Sequence, residues 1–140
     1  YLYNILQNKS VILCDMATSY DFTVYQGSEL DVQLSVTDEA GNALNLSGFD
    51  VRGNVKYRYS DSTALLDLNP VVATGTNGDG YVSGLVDVFI SGAQTKNLPV
   101  TEAIYDIERF HSGLGPASPS VIKLLNGKFN IYPEVTTDNY

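Results

Sequence analysis

Between Leu30 and Thr37 the chain alternates apolar and polar residues one by one, Leu-Asp-Val-Gln-Leu-Ser-Val-Thr, which is the period of a strand with one buried face. The turn formers Asp38-Glu39-Ala40-Gly41-Asn42 end it, and Leu44, Leu46 and Phe49 offer apolar side chains across a looser connection. Alternation resumes from Val51 to Tyr59. It predicts Val51, Val55, Tyr57 and Tyr59 on one face and Arg52, Lys56 and Arg58 on the other. Such an outer face calls for acids on a neighbouring strand, and Asp106 and Glu108 are of the right type.

Val71 to Thr74 reads as a short strand, Asn77-Gly78-Asp79-Gly80 as a tight turn, and Tyr81 to Ile90 as the return strand, with Val82, Val86, Val88 and Ile90 facing inward. Ser91 to Leu98 breaks the alternation and predicts a crossover with one helical turn. Ala103 to Phe110 is strand again, and Gly113 to Ser120, with two prolines, is loop. Val121 to Leu125, Asn126-Gly127 and Lys128 to Tyr132 carry the strongest hairpin signal in the sequence. The sum is an all-β chain, an antiparallel Ig-like β-sandwich of about seven to eight strands, with a small barrel as the alternative. Internal repeats that would point to a solenoid are absent from the sequence.

The 140 residues suit one domain, expected at 20–137, preceded by residues 1–19 as an arm or extra strand and followed by a tail at 138–140. Tyr1, Leu2, Tyr3, Ile5 and Leu6 are too apolar for a free tail, and with Tyr140 they are the candidate interface. Val11 to Leu13 fits either that arm or a first strand closing its own sandwich.

Charge narrows the partners. A net charge of −8 repels a polyanion over most of the surface, so no nucleic-acid partner is expected. No stretch is apolar and long enough to predict a membrane-spanning helix, and none is expected. Compartment is left open by these features.

Candidate chemistry is thin. Cys14 is a lone cysteine and reads as a small buried hydrophobe, so no disulfide, metal or cofactor is expected from it. His111 is the lone histidine, without a serine nucleophile in a suitable context or an acid placed to orient it, and reads as a surface residue. The glycine-rich Gly75 to Gly80 lacks the lysine of a phosphate loop and the spaced acids of a calcium loop. Asp106 and Glu108, two apart on one strand, suit partners for Arg52, Lys56 or Arg58 better than a pair flanking a glycosidic bond. No catalytic residue is assigned, and the chain reads as no enzyme. Ten tyrosines and no tryptophan leave tyrosine as the anomaly, with about half expected in the core and the rest at contacts.

The ordered set Asp21-Phe22, Gln26-Gly27-Ser28, Asp38 to Gly41-Asn42, Asn45-Leu46-Ser47-Gly48, Gln94-Thr95, Tyr105-Asp106-Ile107, Leu124-Leu125-Asn126-Gly127 and Pro133-Glu134-Val135-Thr136 resembles the N-terminal domain of baseplate upper proteins, a group found in tailed-bacteriophage virions. The resemblance covers roughly Tyr20 to Thr136, and this chain departs from it by about twenty extra N-terminal residues. It implies an Ig-like fold without enzymatic activity that attaches tail, baseplate, neck or fibre components of a virion. It also implies other virion proteins as partners and a homo-oligomer, trimeric or hexameric. The matched positions are turns and strands, so no ligand-binding residue is carried over. Two other functions fit the same composition: a carbohydrate-binding module for host-surface glycans, and a bacterial surface Ig-like adhesion domain.

Overall fold

A computed structural model describes residues 10–15, 18–73, 83–113 and 121–134. Among them are ten strands and one short helix: β1 Ser10–Asp15, β2 Thr18–Ser19, β3 Phe22–Tyr25, β4 Leu30–Thr37, β5 Phe49–Lys56, β6 Leu66–Asp67, β7 Val71–Val72, β8 Leu85–Ile90, α1 Gly92–Lys96, β9 Thr101–His111 and β10 Ile122–Tyr132. They form a four-stranded sheet in the order β1-β4-β8-β7 and a six-stranded sheet in the order β2-β10-β9-β5-β6, with β3 also on β10. The all-β sandwich expected from the alternation is the fold observed.

The inward residues of β4 and β8 (Val32, Leu34, Val36, Val86, Val88, Ile90) and those of β3, β5, β9 and β10 make one buried core. Its aromatic part is Phe22, Tyr105 and Phe129, with Phe22 5.1 Å from Tyr105 and 6.1 Å from Phe129, ring centre to ring centre. The Tyr105 hydroxyl leaves this cluster to donate to the Tyr20 carbonyl at 2.6 Å, so the core ring carries a satisfied polar end.

Three details depart from the expectations. First, the core strands pair antiparallel, but β1 runs parallel to β4, and β2 and β3 run parallel to β10. For Val11 to Leu13 the backbone is therefore that of a strand in this chain's own four-stranded sheet. Second, Asn126-Gly127 is no hairpin turn. Asn126 pairs with Asp106 and Gly127 with Tyr105 inside one unbroken strand. A tight Asn-Gly turn needs positive φ at both residues, and Asn126 has none. The glycine instead permits close approach: a Cβ at Gly127 would collide with the Tyr20 carbonyl oxygen. Third, β5 stops at Lys56, because Arg58 and Asp61 close a turn, the Asp61 amide donating to the Arg58 carbonyl at 3.1 Å. Tyr57 and Tyr59 leave the inner face and are exposed.

The remaining strand predictions hold in outline. β4 is Leu30–Thr37, β9 contains Ala103 to Phe110, and β7 and β8 pair antiparallel. Leu124 and Leu125 are both buried, which strict alternation forbids; a register shift between Lys123 and Leu125 explains it. Thr74, the turn at Asn77 to Gly80, Tyr81 and Val82 of the expected return strand, residues 114–120 of the expected loop Gly113 to Ser120, and the side chain of Cys14 lie outside what is described.

The expected single helical turn is α1. Ser91 caps it reciprocally with Gln94: the Gln94 amide donates to Ser91 Oγ at 3.2 Å, and the Ser91 amide to Gln94 Oε1 at 3.0 Å. Thr95 is the one fully buried polar residue among those described. Its Oγ1 accepts from the Gly27 amide at 3.1 Å and donates to the Ser28 carbonyl at 2.8 Å, while Gln26 Nε2 donates to the Leu98 carbonyl at 2.7 Å. The β3–β4 turn is thus bonded to α1. The approach is close enough that a Cβ at Gly92 would come 2.5 Å from the Gly27 carbonyl oxygen.

Two outcomes follow. Thr95→Val keeps the shape but leaves the Gly27 amide and Ser28 carbonyl without this partner, and urea unfolding should show a loss of about 1–3 kcal/mol. Gly127→Ala should cost about 1–3 kcal/mol by the same measurement, from backbone displacement where β10 passes Tyr20.

Candidate interaction surface

The outer face of the six-stranded sheet is ordered by register. Arg52 faces Glu108, Asn54 faces Asp106, and Lys56 faces Ile104 between β5 and β9. On the other side of β9, Asn126 faces Asp106, Lys128 faces Ile104 and Asn130 faces Glu102. Because alternate residues point outward, these side chains share one surface.

Ion pairs lace it. Arg52 Nε lies 2.6 Å from Glu108 Oε1, as the alternation led one to expect. Asp106 takes a different partner from the one expected: it pairs with Lys123 of β10 at 3.3 Å, since the residue opposite it on β5 is Asn54. Lys128 and Glu102 pair diagonally at 3.5 Å. The Arg52 guanidinium also lies 4.8 Å from the centre of the Phe110 ring. Asp106 and Glu108 are each held by a cation on a strand next to β9.

Two features break this polar surface. One is a groove of about 280 Å³ whose walls include Asn54, Lys56, Tyr59, Ile104, Asp106 and Asn126. Tyr59, at 85% exposure, projects from the turn after β5. The other is an apolar row at the far end of the sheet. Tyr25 on β3 faces Tyr132 on β10, their ring centres 5.7 Å apart, and Val100 shares a shallow depression with Tyr132. Tyr25, Tyr132 and Val100 are 54%, 47% and 54% exposed. Of the described tyrosines only Tyr105 is buried, so among these the balance lies at the surface and not evenly between core and contacts.

At the opposite end of β9, Arg109 stacks on Phe49, its guanidinium carbon 3.8 Å from the ring centre. Its Nε is buried without a hydrogen-bond partner, and burial pushes the guanidinium down from its ordinary value. His111 is exposed, with its ring 4.8 Å from that of Phe49. Among the described residues no group of His, Cys, Asp and Glu could hold a metal, and no helix is long and apolar enough to cross a membrane. The candidate interface residues Tyr1, Leu2, Tyr3, Ile5, Leu6 and Tyr140 and the Gly75 to Gly80 loop lie outside the described residues. The sequence pattern placed Tyr132 on a strand, but nothing local to it places Tyr25 alongside.

No family model matches the chain, and no curated protein does. Among solved structures it is similar to the N-terminal domain of ORF48 of phage TP901-1, with a TM-score of 0.55 over 89% of this chain and 98% of that one, at 5% sequence identity. An identity that low shows a common fold and no more. A cysteine protease inhibitor, EhICP2 from Entamoeba histolytica, is 10% identical over 88% of this chain and 96% of its own, with a TM-score of 0.38, and carries no argument.

The surface ion pairs should be weak. Arg52 and Glu108 keep 35% and 23% of their side-chain exposure, so Glu108→Gln should lower stability by no more than about 1 kcal/mol in thermal unfolding, and by less at high salt.

Proposed function

We propose that the chain is a non-catalytic structural module of a tailed-phage virion, in the tail, baseplate or neck, which joins other virion proteins and its own copies as a trimer or hexamer. The observation that carries this reading is the exposed row of Tyr25, Tyr132 and Val100. Aromatic residues left in water on a flat sheet face are what a protein–protein contact covers. The shared fold with a phage domain and the ordered turn motifs support the virion setting.

Position adds to this. Ser10 is in register with Val32, near the start of β4, so β1 begins at the end of the sandwich that holds the β3–β4 turn and Tyr25. We assign the apolar residues Tyr1, Leu2, Tyr3, Ile5 and Leu6, which precede β1 in the sequence, to the same contact. The net charge of −8 favours protein partners over nucleic acid.

Sedimentation across a range of protein and salt concentrations tests the proposal. A trimer or hexamer is expected, and Tyr132→Ser, or removal of residues 1–9, should raise its dissociation constant at least about tenfold, the effect of losing one well-buried interface aromatic. A strict monomer at every concentration rules out self-assembly through this surface.

A further inference from the structure

We propose that the groove beneath Tyr59 binds a neutral oligosaccharide, with the tyrosine ring as the stacking platform and the Asn54, Asp106 and Asn126 row as the hydrogen-bonding floor. Asn54 and Asn126 both face Asp106, one from each side, so three polar side chains stand in line across β5, β9 and β10. Adjacent strands set them about 4.8 Å apart. Each amide offers donors and an acceptor, and the carboxylate accepts, which is the mixture that successive sugar hydroxyls require. Half-buried Ile104 supplies an apolar strip beside them.

Above that floor the turn closed by Arg58 and Asp61 places Tyr59 at the wall of the groove. At 85% exposure its ring packs on little of its own chain, and a pyranose presents an apolar C–H face to such a ring. The volume, about 280 Å³, lies at the lower limit of small-molecule sites, which run from about 300 to 1,000 Å³. That suits a short stretch of a longer chain.

The groove's own charges largely cancel. Asp106 is offset by Lys123 at 3.3 Å and Glu108 by Arg52 at 2.6 Å, which leaves Lys56 as the lining cation with no acid opposite it on β9. An acidic sugar would gain that one contact but compete with the two pairs and meet the −8 of the whole chain, so the neutral ligand is the one proposed. The groove is separate from the Tyr25–Tyr132 row, so the inference stands or falls apart from the assembly proposal.

The test is titration of the isotope-labelled chain with maltohexaose, cellohexaose and chitohexaose, followed by amide chemical shifts, with polygalacturonate as the acidic probe. At least one neutral probe should shift Asn54, Asp106 and Asn126 together. Tyr59→Ala should weaken that binding by about tenfold, the scale of one lost aromatic stack, and Tyr59→Phe should restore it. Tyr132→Ala, on the apolar row, should bind as the unaltered chain does. Tyr59 is outside the core, so its variants should give the unaltered amide spectrum away from the groove. The proposal is overturned by any of three results: no neutral probe shifts the row, only the acidic polymer binds, or Tyr59→Ala binds undiminished.

Discussion

The six-stranded sheet depends on β10 running straight past the Tyr20 carbonyl with no side chain in the way. Gly127 is the point of passage. On one side β10 pairs with β9 from Ile122 to Ile131, and on the other it receives β2 and then β3 in parallel. The Tyr20 amide donates to the Asn126 carbonyl at 2.8 Å, and the Lys128 amide donates to Asp21 Oδ1 at 2.9 Å, so the gap between β2 and β3 is bridged across the glycine. Phe22 is then delivered to the core beside Tyr105 and Phe129, and Tyr105 bonds back to Tyr20. Aromatic core and sheet edge are thus fixed by the same few residues.

Thr95 does similar work where the chain crosses between sheets. The five-residue helix α1 is too short to be stable by itself. Its cap by Ser91 and its bonds to Gly27 and Ser28 hold it against the β3–β4 turn. That turn links β3 in one sheet to β4 in the other. A short capped turn therefore ties the two layers together at one end.

Much of this was legible in the sequence where alternation is strict and local. β4, β8 and β9, the helical turn after Ser91 and the Arg52–Glu108 pair all follow from period and residue type. What misled was chemistry with two physical uses. Asn-Gly serves a tight turn through positive φ, but here the same glycine serves close packing, and only the neighbouring strand decides between them. Tyr57 and Tyr59 continue the alternation of β5, yet the Arg58–Asp61 turn takes them out of it. The candidate surface was legible only in part: Asn54 and Asp106 are outward positions by parity, while Asn126 reads locally as a turn. That they align depends on registers between segments far apart in sequence.

The ion-paired sheet face also bears on how two such molecules meet. Arg52, Lys123 and Lys128 are matched there by Glu108, Asp106 and Glu102, and Lys56 shares the face with Asp50 of β5 and Asp67 of β6. The face is thus close to neutral, and most of the chain's excess negative charge lies elsewhere. An acidic molecule approaching this face is repelled less than one approaching the rest of the surface. The sheet is in that sense an electrostatic window, open at one angle of approach before any side chain touches.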